Sequence, residues 1–262
     1  LLGMLAQTTG QDKIKPDDLK QLQAAELELQ KLAFRIVNDT IEERRAEAVF
    51  AFIPKLVKTL QIPYSYQYPF DSLQTISILS PEDDRFRIFS WQLTADEGAQ
   101  RYYGAIQMNT KKGELKLHPL FDYSSFMTNP DDTVVNADSW YGALYYNIKM
   151  VKEGKQKYYT LFGYDAKDLW SNIKVVDILT FDDTGKPVFC APIFSFNEGK
   201  RTVHRFLYEY KNNANASINY RPELDMILLD HLVSTDEKAA DMKFTYVPDG
   251  TYSGFKWKEG KW

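Results

Sequence analysis

The sequence predicts an α+β chain, mainly β, with an N-terminal antiparallel helical hairpin on a large antiparallel β-meander (a curved sheet, barrel or sandwich). Three observations predict it. Apolar residues recur at helical spacing only up to Leu60. From residue 73 the period is two. The strand-like runs are joined by charged turns such as "PEDD", "TKKGE", "KEGK" and "DDTGKP", too short for the crossovers that parallel pairing needs. The domain reading is an N-terminal segment over 1–15, a helical hairpin over 16–62 and a β domain over 63–262.

The first helix is predicted over 16–38. Pro16 loses no hydrogen bond at a helix start, and Asp17 and Asp18 meet the positive end of the dipole. Leu22, Leu29, Leu32 and Ile36 then form one stripe. Thr40 and Glu43 have capping-box spacing, which starts a second helix at Ile41. Its apolar stripe is Val49, Phe50, Ile53, Leu56, Val57 and Leu60, and it is expected to pack on the β domain. Pro54 inside that stripe is expected to kink or split the helix near Phe50. "IPYSYQYPF" ends the helices. Its Tyr64, Tyr66 and Tyr68 alternate with polar residues, which fits an extended connector or an aromatic strip facing a partner.

Strands are predicted at 74–80, 85–93, 101–108, 114–119, 141–152, 156–165, 173–181, 187–195, 202–211, 218–220 with 224–232, and 244–257 with a turn inside. The stretch "WYGALYYNIKMVKEGKQKYYTLFGYD" reads as a hairpin closed at "KEGK". Leu144, Tyr146, Ile148 and Met150 make the more apolar face, expected inside. Tyr141, Ala143, Tyr145, Asn147 and Lys149 make the other face, open to water, a ligand or a partner. Trp140, Tyr141 and Tyr145 therefore join the three tyrosines of 64–68 as candidate partner- or ligand-binding residues, because rings with one polar end suit interfaces.

The net charge is −4 and no basic block occurs, which sets nucleic-acid binding aside. The lone Cys190 lies in "PVFCAPIF" and reads as a buried, inert thiol. The start "LLGMLAQTTGQ" looks like the end of a signal peptide, and no later stretch has the length of a membrane helix. His118, His204 and His231 have no second His or Cys at ligand spacing, so no metal or cofactor is expected. The acidic turns match no calcium loop, and no P-loop, dinucleotide fingerprint or nucleophile elbow occurs. "LDMILLDHL" is the best local site for catalysis, with Asp225, Asp230 and His231 as candidates. On a regular strand Asp230 and His231 point to opposite faces, and only a bulge would change that.

The runs "ILSPEDDRFRIFSWQL", "RYYGAIQM", "WYGALYYNI", "YYTLFGYD" and "PDGTYSGFKW" resemble a group of uncharacterised envelope proteins of Bacteroidetes type. The resemblance spans about residues 76 to 257 and carries no catalytic motif. It implies an exported, periplasmic protein, in an envelope where proteins of this size accompany outer-membrane secretion or assembly channels. The leading expectation is a non-enzymatic accessory protein that docks on another envelope protein such as an outer-membrane channel. The alternatives are a small-molecule or glycan-binding β domain with an aromatic cavity, and a carboxylate-based hydrolase.

Overall fold

The computed structural model describes residues 14–96, 98–196 and 201–262; the signal-peptide reading of the first residues lies outside them. Helix α1 spans Pro16–Asn38 and α2 spans Glu42–Leu60. Both start where acidic residues fill the first turn. The Thr40 capping box does not form: Asp39 Oδ1 instead accepts from the Ile41 amide at 3.1 Å. Pro54 lies inside α2, which continues through it unbroken.

Fifteen strands are described, and every strand pairing is antiparallel. β1 (Ser77–Leu79), β2 (Phe86–Thr94), β3 (Gln100–Met108) and β4 (Leu117–Phe121) form the first sheet in chain order. The second sheet is built on β5 (Val135–Asn136), β6 (Leu144–Glu153), β7 (Gln156–Asp165), β8 (Ser171–Phe181) and β9 (Pro187–Phe189). β10 (Phe194–Phe196) and β11 (Arg201–Val203) make a short ribbon. β12 (Phe206–Lys211) returns to pair with the first half of β8. β13 (Ile218–Arg221), β14 (Met226–Ser234) and β15 (Tyr246–Lys256) form the last sheet.

Side-chain alternation explains how these elements stack. On β2, Phe86 and Ile88 enter a core shared with the second sheet, while Phe89 and Trp91 enter a core shared with the helices. On β7 and β8, Tyr159, Leu161, Val175 and Leu179 face the first sheet; Phe162, Val176 and Ile178 face Ile218, Ile227 and Leu229 of the last sheet. Four layers result: helices, first sheet, second sheet, last sheet. The helical stripe packs as expected through Leu56 and Leu60, with Ile53 partly buried against the same core. Phe50 does not join it. It is 72% exposed on the outer side of α2, and Phe52 takes the buried position.

Other expectations are corrected by packing. Tyr64–Tyr68 is no extended strip: Tyr64 adopts φ 59° and Ser65–Gln67 form a 3-10 turn, so the rings do not line one side. Tyr68 is buried with its hydroxyl donated to Glu26 Oε2. Tyr66 donates to Asp84 Oδ1 at 2.8 Å, and a Cβ at Gly113 would strike the Tyr64 ring. The hairpin of β6 and β7 faces the other way. Tyr141, Ala143 and Tyr145 are buried while Tyr146 is exposed, because the first sheet covers the tyrosine face. A bulge between Tyr145 and Asn147 resets the alternation beyond it. The single strands expected at 187–195 and 202–211 each break in two. The first breaks after Phe189, where Cys190 takes φ 76°; the second breaks where the Arg205 side chain turns into the core.

Candidate functional site

The strand β12 separates two clefts. Its period-two alternation sends Phe206 and Tyr208 to one side and Leu207 to the other, and Glu209 touches both.

The larger cleft has a volume of about 470 Å³. Phe196, Phe206, Tyr208 and Phe255 line it, with Leu229 and Leu232 from β14. Phe196, Phe206 and Phe255 are mutually packed, with ring centroids 5.1 to 5.6 Å apart. This is an aromatic wall of the kind that accepts apolar ligand surface. Gly254 keeps the wall close: a Cβ there would lie 2.7 Å from the Ile227 carbonyl oxygen. Polar groups sit at the rim. Lys243 lies over the Tyr246 ring at 4.3 Å and forms no ion pair among the described residues. His231 Nδ1 lies 2.8 Å from Asp249 Oδ2. The Thr251 amide, and then His231, hold the Asp249 carboxyl down at about 2. The carboxylate fixes the imidazole's orientation and leaves its second nitrogen free to accept or donate.

His231 was thus legible as a candidate, but its partner is not Asp230. The strand pairing shifts between Asp230 and Leu232, and the bulge turns His231 toward Asp249 on β15. Asp230 Oδ2 instead accepts from the Ser217 amide at 2.7 Å, and its carbonyl accepts from Tyr208. Asp225 sits in the β13–β14 turn at φ 48° and accepts from the Tyr220 hydroxyl at 2.6 Å. Each of these carboxylates is committed locally, so the expected carboxylate pair for hydrolysis is not assembled from them.

The smaller cleft, about 340 Å³, lies on the opposite side of β12. Its floor is Asp165, at the end of β7. The Tyr102 hydroxyl donates to Oδ1 at 3.0 Å and the Tyr141 hydroxyl to Oδ2 at 2.9 Å. Burial raises the Asp165 pKa from 3.8 to about 6; the two tyrosines oppose the shift and Asp122 adds to it. Gln100, Ser124, Ser125, Lys167 and Glu209 complete the polar lining. Of the residues expected at a binding surface, Tyr141 alone lines this cleft. Trp140 and Tyr145 are fully buried beside it, joined by an indole-to-hydroxyl hydrogen bond of 2.8 Å.

Sequence reasoning missed Asp165, Asp249 and Lys243. A signal existed for the first, since it closes the otherwise uncharged run "YYTLFGYD". The other two become visible only when β14 pairs with β15 and the 3-10 turn before β15 closes over the aromatic cleft. Cys190 is buried, and burial, with Asp177 adding, pushes its thiol up to about 12. Among the described residues no cluster of three or more His, Cys, Asp or Glu is placed to hold a metal, and no helix is long and apolar enough to cross a membrane. No family model matches the chain, and searches of curated proteins and of solved structures give no match.

Proposed function

We propose that this chain is a non-enzymatic binding protein whose β domain takes a small amphipathic ligand in the aromatic cleft between β12 and the last sheet. The observation that carries the reading is the wall of Phe196, Phe206, Tyr208 and Phe255 with Lys243 at its rim. An apolar body fits the rings, and an anionic end fits an ammonium that forms no ion pair among the described residues. The cleft volume is within the ~300–1,000 Å³ range of ligand sites. The resemblance to exported envelope proteins supports placing this activity in the periplasm.

The test is isothermal titration with decanoate, and with decanol as its uncharged counterpart. Decanoate is expected to bind saturably and more tightly than decanol. Phe206→Ala should weaken both, whereas Lys243→Gln should weaken decanoate alone. Absence of saturable decanoate binding, or equal affinity for the two probes, counts against the reading.

A second reading keeps the docking role on other residues. Leu27, Phe34 and Phe50 are exposed on the outer faces of the two helices, away from the first sheet. Three large apolar side chains on one layer support an interface with another envelope protein, for example an outer-membrane channel. Pull-down from native membranes with Phe34→Ser and Phe50→Ser variants tests it: a partner recovered equally well by both removes this face from consideration.

A further inference from the structure

We infer that the smaller cleft above Asp165 is a second binding site, and that it takes a neutral saccharide. The floor is rich in acceptors. Asp165 receives one hydroxyl on each oxygen and keeps further lone pairs. Tyr141 donates its proton to Asp165 and keeps its oxygen lone pairs. Glu209 Oε1 already accepts from Lys167 and Ser171, at 2.8 and 2.7 Å, which leaves Oε2 open. A ligand for this surface must bring several donors.

Charge narrows the choice further. An anion would meet Asp165 and Glu209, and Lys167, the cation that lines the cleft, is already paired with Glu209. A ligand that presents donors without a negative charge is a polyhydroxylated one. The surroundings of the cleft agree. Ser124 and Ser125 line it, and the residues on either side of them, Tyr123 and Phe126, are exposed with their rings 5.0 Å apart. Lys167 lines it, and Leu169 and Trp170 just beyond are 64% and 70% exposed. Rings exposed close in sequence to lining residues suit a sugar, which has apolar C–H faces and hydroxyl edges. The floor is rigid enough to discriminate. Tyr102 also accepts from the Ala166 amide at 2.8 Å, and the Arg205 guanidinium packs 5.0 Å from the Tyr141 ring centre.

The two clefts share Glu209, and the experiment separates them through Phe206, which lines only the aromatic cleft. The intact chain is titrated with maltotriose, cellotriose, chitotriose and xylotriose, with cadaverine as a cationic donor. The readouts are calorimetry and ligand-observed saturation-transfer NMR. At least one trisaccharide is expected to bind saturably. Trp170→Ala and Glu209→Gln should each weaken it about tenfold, while Phe206→Ala leaves it unchanged. Both substituted residues are at least partly exposed, and circular dichroism should show the fold retained. Three results overturn the inference: no trisaccharide binds, cadaverine binds in preference to all of them, or Trp170→Ala leaves sugar affinity unaltered. Loss of sugar binding in Phe206→Ala would move the site to the aromatic cleft and equally overturn it.

Discussion

Arg87 and Arg205 are both buried arginines on β strands or at their edges, and the chain satisfies them in opposite ways. Arg205 is paired with a charge: its Nε lies 2.8 Å from Asp177 Oδ2, and both side chains are fully buried. Its Nη1 donates to the Pro130 carbonyl, and the backbone amides of His204 and Arg205 reach the Asp131 carbonyl at 3.1 and 2.8 Å. The pair thereby fastens the 127–134 loop to the second sheet. Burial lowers the Arg205 pKa, but Asp177 outweighs it and the net shift is upward. Among the described residues no carboxylate pairs with Arg87. Nε donates to Gln107 Oε1 at 2.8 Å, Nη1 to the Tyr68 carbonyl at 2.6 Å and Nη2 to the Ser65 carbonyl at 2.9 Å. The rings of Phe70 and Phe89 lie 5.0 Å from the guanidinium. Burial pulls its pKa down to about 9, which still leaves it charged at neutral pH. All three Arg87 nitrogens are bonded, whereas Arg205 Nη2 is buried without a hydrogen-bond partner among the described residues. The difference teaches that a buried guanidinium facing a carboxylate tolerates an unfilled donor here, and that one without a carboxylate has its donors filled by neutral acceptors.

The largest predicted effect breaks the charged pair. Asp177→Ala leaves the Arg205 cation buried without its partner and should cost about 3–5 kcal/mol of unfolding free energy, read from urea denaturation. Replacing both residues by Leu and Met should recover most of that loss, because two buried apolar side chains leave no orphan charge. A double variant as unstable as the single one would show that the pair's geometry, and not its charge balance, holds the loop.

Another buried charge, Asp165, accepts from two tyrosine hydroxyls, and its prediction concerns pH. Its folded pKa of about 6 lies above the ordinary 3.8, so the native state holds the extra proton. Its contribution to stability is full below pH ~4 and is lost as pH rises through about 6. Asp165→Asn should remove that fall. The difference in unfolding free energy between wild type and variant should shift by on the order of 3 kcal/mol between pH 4 and pH 7. A pH-independent difference would mean that the carboxyl titrates normally.

A smaller loss is expected for Arg87→Met. It removes a desolvated cation but leaves the Ser65 and Tyr68 carbonyls without that donor, and should cost about 2 kcal/mol. A cost equal to that of Asp177→Ala would erase the contrast between the two arginines. The smallest effect is that of Phe50→Ser, within about 0.5 kcal/mol, because its ring lies outside every core cluster. A larger loss in thermal unfolding would return Phe50 to the packed stripe.

These buried charges show what was legible beforehand. The period of two and the charged turns carried the antiparallel strands, though not the pairing of β5 with β9 or of β12 with β8, and Pro16 with its two aspartates marked the start of α1 within the sequence itself. Asp177, the only acidic residue of "IKVVDILTF", went unread, and its buried partner Arg205 shows only in the fold. Facing was not legible. Trp140, Tyr141 and Tyr145 look amphipathic on a strand with one wet side, yet here both sides of the second sheet are covered, so the polar ends bond internally. The two clefts also escaped local reading, because β12 is brought to β8 from more than twenty residues away. Only that closure puts Glu209 near Asp165, and His231 on the rim of an aromatic wall.

The two-sided burial of β2 has a kinetic consequence. In a sheet with one wet face, a slip of one residue exposes the whole apolar set and is rejected on that ground. A slipped β2 would exchange Phe86 and Ile88 for Phe89 and Trp91, one apolar pair for another between two dry compartments. The hydrophobic pattern is therefore nearly blind to the error. What detects it is polar: a slip would carry Arg87 away from the Tyr68 and Ser65 carbonyls and Ser90 away from the Tyr145 amide, which it now meets at 3.0 Å. Gly104 stands opposite Ser90, where a Cβ would lie 3.0 Å from the Phe89 carbonyl oxygen, so that crossing point tolerates little else. Arg87, Ser90 and Gly104 thus act as alignment marks for a strand that is apolar on both faces. Variants at these marks should refold through a longer-lived misaligned population than variants of the rings around them.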